Sequence, residues 1–136
     1  MGVTVLDTSV LIALVDAADA HHMAARNVIQ ERRAAGDEFV VPVAAYTEFM
    51  VRSYQDDVSM VAFRDGLVDA IPARVEPAGR DTGREAAAIR ARHGRRVKLP
   101  DALIIATAVV IGADRIVTAD SGWPAQDVPV TVLQTT

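Results

Sequence analysis

Four carboxylates stand where a purely structural sequence has little use for them: Asp7, Glu48, Asp101 and Asp120. Asp7 closes the run Val3-Thr4-Val5-Leu6 and is followed by two hydroxyl residues, Thr8 and Ser9. A carboxylate at the end of a buried strand is costly to desolvate and calls for a partner. Asp120 ends a second run, Ile116-Val117-Thr118-Ala119-Asp120, and Asp101 follows Pro100 at the head of an almost wholly apolar stretch. Glu48 sits beside Phe49 and Met50. Each has an ordinary structural role open to it. Asp7 suits a helix cap, Asp101 favours a helix dipole, Glu48 is spaced to pair with Arg52, and Asp120 fits a turn. Taken together, they point to one acidic pocket. Oxygen ligands without His or Cys suit Mg²⁺ or Mn²⁺, and such ions serve phosphoryl chemistry.

The elements that must position these groups follow from the hydrophobic pattern. Strands are expected at 3–6, 39–41, 74–76, 115–118 and 130–133, with helices at about 9–16, 20–35, 43–55, 57–70, 82–93 and 102–111. Met23, Val28 and Ile29 are expected to face inward, and Pro42 to open the third helix. Asp56-Asp57 is expected to cap the fourth helix, and Thr82-Gly83-Arg84-Glu85 has the form of a capping box. Strands alternating with helices predict an α/β fold, a parallel central sheet of about five strands with helices on both faces. In such sheets ligands bind outside the carboxyl ends of the strands, where Asp7 and Asp120 fall.

Composition narrows the function. The 136 residues suit a single domain, and 51% hydrophobic content argues against disorder. The absence of cysteine removes disulfides, thiolate metal sites and thiol enzymes, and leaves a reducing cytoplasm as the expected location. No basic leader and no apolar run of membrane-spanning length is evident. A net charge of −4 excludes nucleic-acid binding by overall charge alone, although not by a local patch.

Val5-Leu6-Asp7-Thr8-Ser9, Glu48, Leu99-Pro100-Asp101-Ala102 and Val117-Thr118-Ala119-Asp120, in this order, resemble a PIN-domain ribonuclease. Size and element order are similar to the VapC toxins of bacterial toxin–antitoxin pairs, over essentially the whole chain, 1–136. The resemblance implies a PIN-like nuclease domain, Mg²⁺ or Mn²⁺, and endonucleolytic cleavage of RNA. Asp7, Glu48, Asp101 and Asp120 would be its acidic quartet, with Thr8, Ser9 and Thr118 as polar support. It also implies a VapB-like antitoxin, a homodimer and no membrane association. Many family members carry a further acid just after the fourth motif. Here Ser121-Gly122-Trp123-Pro124 follows, with no acid until Asp127, which leaves open one metal ion or two.

Half of the fourteen Lys and Arg residues lie between Arg80 and Lys98, leading directly to Asp101. Arg90, Arg92, Arg95 and Arg96 are candidates for holding RNA phosphates, the alternative being a solvated helix face. His21-His22 reads as surface loop, and Trp123, the only Trp, as packing over the sheet end or stacking on a base. Two rival functions share the acidic pattern. A response-regulator-like phosphoacceptor needs a late Lys, and the only Lys is Lys98. A PIN-like binding module without cleavage would have little need of the full quartet.

Overall fold

Runs of β-branched and apolar residues form strands buried on both sides, and the longer apolar stretches between them form the covering helices. The computed structural model describes residues 1–135. The strands are β1 (Val3–Leu6), β2 (Glu38–Pro42), β3 (Ala73–Glu76), β4 (Arg115–Thr118) and β5 (Val130–Val132). The helices are α1 (Thr8–Val15), α2 (His22–Ala34), α3 (Val43–Asp56), α4 (Met60–Ala70), α5 (Arg80–His93) and α6 (Leu99–Val110), with a short 3-10 turn at Gly94–Arg96. All strand pairs are parallel, in the order β3-β2-β1-β4-β5. The expected α/β architecture is therefore present, with five strands and six helices.

Consecutive residues of the three inner strands are buried, among them Val5 and Leu6, Val40 and Val41, and Ile116 and Val117. Helices must then cover both faces of the sheet. On α6, Ala102 and every residue from Ile104 to Ala108 are buried, which explains its nearly uniform apolar sequence. Gly112, at φ +67°, ends that segment in a conformation that a side chain would strain.

The strand order makes a site. From β1 the chain moves outward to β2 and β3, then returns to add β4 and β5 on the other side of β1. The reversal opens a crevice at the carboxyl ends of β1 and β4, the switch point at which open α/β sheets bind ligands. Leu6 pairs with Val117, and the Asp7 backbone N–H donates to the Val117 carbonyl at 3.0 Å. The ends of the two strands are thereby locked in register.

Several local expectations are corrected. α5 starts at Arg80 behind an extended Gly79, and Thr82 is buried within the helix instead of capping it. Met23 is 49% exposed. It lies two residues, about 200°, away from Ala25, which with Ile29 forms the buried stripe of α2. Pro42 closes β2, paired with Glu76, and α3 begins one residue later. Ser59, not Asp56 or Asp57, is the N-cap of α4; Asp57 ends α3 and accepts from the Ser59 backbone and hydroxyl at 3.0 and 2.6 Å in the turn between the two helices. His21 and His22 belong to the start of α2, where His22 Nδ1 lies 2.7 Å from the Ala13 carbonyl.

At the amino end of the sheet, Asp37 accepts a 2.7 Å hydrogen bond from the Thr4 hydroxyl and pairs with Arg115. Arg32 stands 3.7 Å away, and the Asp37 side chain is 2% exposed. Burial opposes its ionisation, but Thr4, Arg115 and Arg32 together hold the carboxyl below its usual range. Nothing in the hydrophobic pattern marks this cluster, because its members come from four separate segments.

Candidate metal centre

Asp7 is the buried anchor of the crevice, 5% exposed. One carboxylate oxygen accepts the Thr8 backbone N–H at 2.8 Å, making Asp7 the N-cap of α1. The other accepts from the Ser9 hydroxyl at 2.8 Å and the Thr118 hydroxyl at 2.7 Å. Both hydroxyls are themselves fixed, since Ser9 Oγ accepts the Ala119 N–H at 2.9 Å and Thr118 Oγ1 accepts the Asp120 N–H at 3.0 Å. Desolvation raises the Asp7 carboxyl above its usual value, opposed by these three hydrogen bonds and assisted by the charge of Asp120.

The other acids arrive from separate elements. Glu48, exposed on α3, accepts from the Thr8 hydroxyl at 3.1 Å, and it is Thr8, not Arg52, that engages it. Asp101 occupies the first turn of α6, where the helix dipole favours its charge. Asp120 is exposed beyond β4, with one oxygen accepting the Gly122 N–H at 2.7 Å. The cap, dipole and turn roles are thus all realised, and they coexist with convergence. Burial, followed by the charges of Asp7, Glu48 and Asp120, pushes Asp101 up to about 6. Four acids from four elements therefore share one electrostatic neighbourhood.

This donor set consists of hard oxygen ligands with surplus negative charge, and among the described residues no ion pair neutralises it. That chemistry fits a Mg²⁺- or Mn²⁺-sized cation. As they stand, no three of these carboxylates converge closely enough to enclose an ion among the described residues. Glu48 and Asp120 are exposed and each accepts a single hydrogen bond, whereas Asp7 is buried and held by three.

Trp123 packs partly buried against the core, as the packing reading expected, and its buried indole N–H has no hydrogen-bond partner among the described residues. The basic segment leads into the same end of the molecule. Arg92, Arg95 and Arg96 are exposed, Arg90 is half-buried, and none of the four forms an ion pair among the described residues. Arg90 and Arg92 also lie in the last turn of α5, where positive charge suits the dipole.

Residues 4–128 match the PIN domain family, and the chain belongs to it. No curated protein matches it by sequence. Solved structures share its fold. A toxin–antitoxin complex from Klebsiella pneumoniae is 20% identical, with TM-score 0.73, covering 98% of this chain and 99% of that one. VapBC2 from Rickettsia felis, bound to a promoter DNA fragment, is 9% identical with TM-score 0.76, covering 97% and 99%. VapC20 from Mycobacterium tuberculosis, a toxin that cleaves the sarcin-ricin loop, is 20% identical with TM-score 0.66, covering 83% and 86%. The fold is therefore the one found in VapC-type toxins.

Proposed function

We propose that residues 1–136 form one nuclease domain, a VapC-type toxin that cleaves RNA with Mg²⁺ or Mn²⁺. The observation that supports this reading is that Asp7, Glu48 and Asp120 lie near enough to Asp101, at the sheet's switch point, for their charges to raise its carboxyl, with no ion pair compensating them among the described residues. When bound there, a divalent ion supplies activation of water and stabilisation of the leaving oxygen. Asp7, Glu48, Asp101 and Asp120 would hold such an ion, and the Thr8 N–H with the Ser9 and Thr118 hydroxyls keeps the Asp7 carboxylate in orientation. Water attacks phosphorus, the 3′ oxygen leaves, and the products carry 5′-phosphate and 3′-hydroxyl ends. The test is incubation with RNA and Mn²⁺, with and without chelator. Cleavage that chelator abolishes supports the reading, and intact RNA at saturating Mn²⁺ refutes it.

Arg90, Arg92, Arg95 and Arg96 position the RNA backbone on the approach to Asp101. Replacing two of them with Ala is expected to weaken RNA binding. It should also lower the slope of log affinity against log salt by about 1.4, the value for two lost contacts to a single strand. An unchanged slope would mean a solvated helix face.

The partner is a VapB-like antitoxin, supported by the toxin–antitoxin complexes among the structural relatives. The toxin itself assembles as a homodimer, supported by apolar side chains exposed along α3 and α4, including Val51, Tyr54 and Phe63. No helix among the described residues is long and apolar enough to cross a membrane.

A further inference from the structure

The acidic crevice has a neighbour that RNA cleavage alone leaves unused. A cavity of about 310 Å³ opens between the first turns of α3 and α6. That volume lies at the small end of clefts that take organic ligands. Val43, Leu99, Pro100 and Leu103 supply apolar walls, and Leu99 is 57% exposed. Glu48 belongs to the cavity as well as to the quartet, and Pro100 immediately precedes Asp101, so cavity and crevice are continuous.

The polar groups of the cavity are of one kind. The Thr47 hydroxyl donates to the Val43 carbonyl at 2.7 Å, which leaves it only lone pairs to offer. Glu48 accepts the Thr8 hydroxyl through one oxygen and keeps the other for a further donor. No Lys, Arg or His lines the cavity among the described residues. A phosphate or a carboxylate finds no partner there and is repelled by Glu48. The occupant that fits is neutral, apolar on its faces and carries N–H donors along one edge. That is the chemistry of a nucleobase with an amino group. Guanine presents two adjacent donors, whereas uracil has a single N–H between two carbonyls.

We propose that this cavity is a base-specificity subsite: it receives one unpaired, amino-bearing base, guanine ahead of the others, from an RNA strand whose backbone passes the acids. This rests on the nuclease reading and names the part of the substrate which that reading leaves open. Sequence-specific recognition of RNA generally targets bases splayed out of single strands. Here the charges divide the work, with arginines of the segment before α6 facing phosphates and the acceptors of α3 selecting the base.

The test measures binding in chelator, so it needs neither a metal ion nor cleavage. Uridine pentamers with a central guanine, uracil or abasic site are titrated against the full chain. The guanine pentamer should bind about 10-fold or more tightly than the other two, a discrimination typical of a paired base contact. Thr47→Val keeps the shape but removes one acceptor, and should reduce that preference about threefold. Ala78→Leu, at an exposed lining position between β3 and α5, fills the cavity. It should abolish the preference and leave affinity for the all-uridine pentamer unchanged. Equal affinities of the three pentamers for the wild type, or no binding of any, overturn the subsite. So does a preference that survives Ala78→Leu. If Ala78→Leu instead weakens self-association in sedimentation with base preference intact, the cavity is an interface between copies, and the subsite is likewise overturned. Mn²⁺-dependent cleavage judges the nuclease reading separately. Cleavage without base preference overturns the subsite alone, and base preference without cleavage overturns the nuclease reading alone.

Discussion

Asp7→Asn is expected to reduce Mn²⁺-dependent RNA cleavage by at least about 100-fold while the fold survives. An amide is a poor ligand for a hard cation. Loss of even an outer-sphere partner of a metal site costs about 10–100-fold, so loss of the buried anchor should cost no less. The fold survives because the surroundings of Asp7 can reverse their hydrogen bonds. One amide oxygen still accepts the Thr8 N–H, and the amide nitrogen can donate to Ser9 and Thr118. Each of those hydroxyls accepts one backbone N–H and retains a second lone pair. Removing a carboxyl whose ionisation is opposed by burial further offsets any loss. The measurements are cleavage with Mn²⁺ and melting in chelator. Wild-type cleavage by the variant would reduce Asp7 to a helix cap, a role that Asn fills as well.

The second expected result is a stability profile with two arms of opposite sign, arising at opposite ends of the sheet. Burial raises Asp101 from 3.8 to about 6 in the folded chain, so between these values the folded state binds more protons than the unfolded one. Stability then falls as pH rises through that window, and Asp7, also raised, adds to the fall. Asp37 behaves oppositely. Its carboxyl is lowered, so its contribution is present above the unfolded value of 3.8 and is lost as pH falls through the folded one. In chelator, the melting temperature should be highest near about pH 4, where the two arms meet, and should decline as pH rises toward about 6. Asp101→Asn should shrink that decline, and Mn²⁺ should remove it at pH 7 by taking the place of the proton. Asp37→Ala should remove the acid arm and lower stability by about 2–3 kcal/mol, because Arg115, Arg32 and Thr4 lose a charged partner while the arginines keep some hydration. A flat profile from pH 4 to 7 in chelator would show that Asp101 is not raised in the folded chain.

The architecture was legible because strands buried on both faces leave uninterrupted apolar runs, as in β1 and β4. The quartet was legible because those runs each stop at a carboxylate. Local helix starts were less legible. Thr82-Gly83-Arg84-Glu85 has capping-box chemistry, yet the helix starts two residues earlier, at Arg80, and Thr82 turns inward. The polar contacts that tune the site lie furthest from view. Asp37 and Arg115 are 78 positions apart, and Thr118 meets Asp7 across 111. Each contact depends on which strands become neighbours, and the order β3-β2-β1-β4-β5 is not written in any local pattern.

That strand order also governs when the site can exist. The hydroxyl that holds Asp7 belongs to Thr118, 111 residues downstream, on the strand that joins β1 from the other side. At synthesis rates of about 5–20 residues per second, roughly 6–22 s separate the appearance of the two. Throughout that interval β1 lacks one neighbour, Asp7 lacks a partner, and Asp120 has not been made. The acidic crevice therefore cannot assemble until Thr118 and Asp120 have both been made and β4 has joined β1.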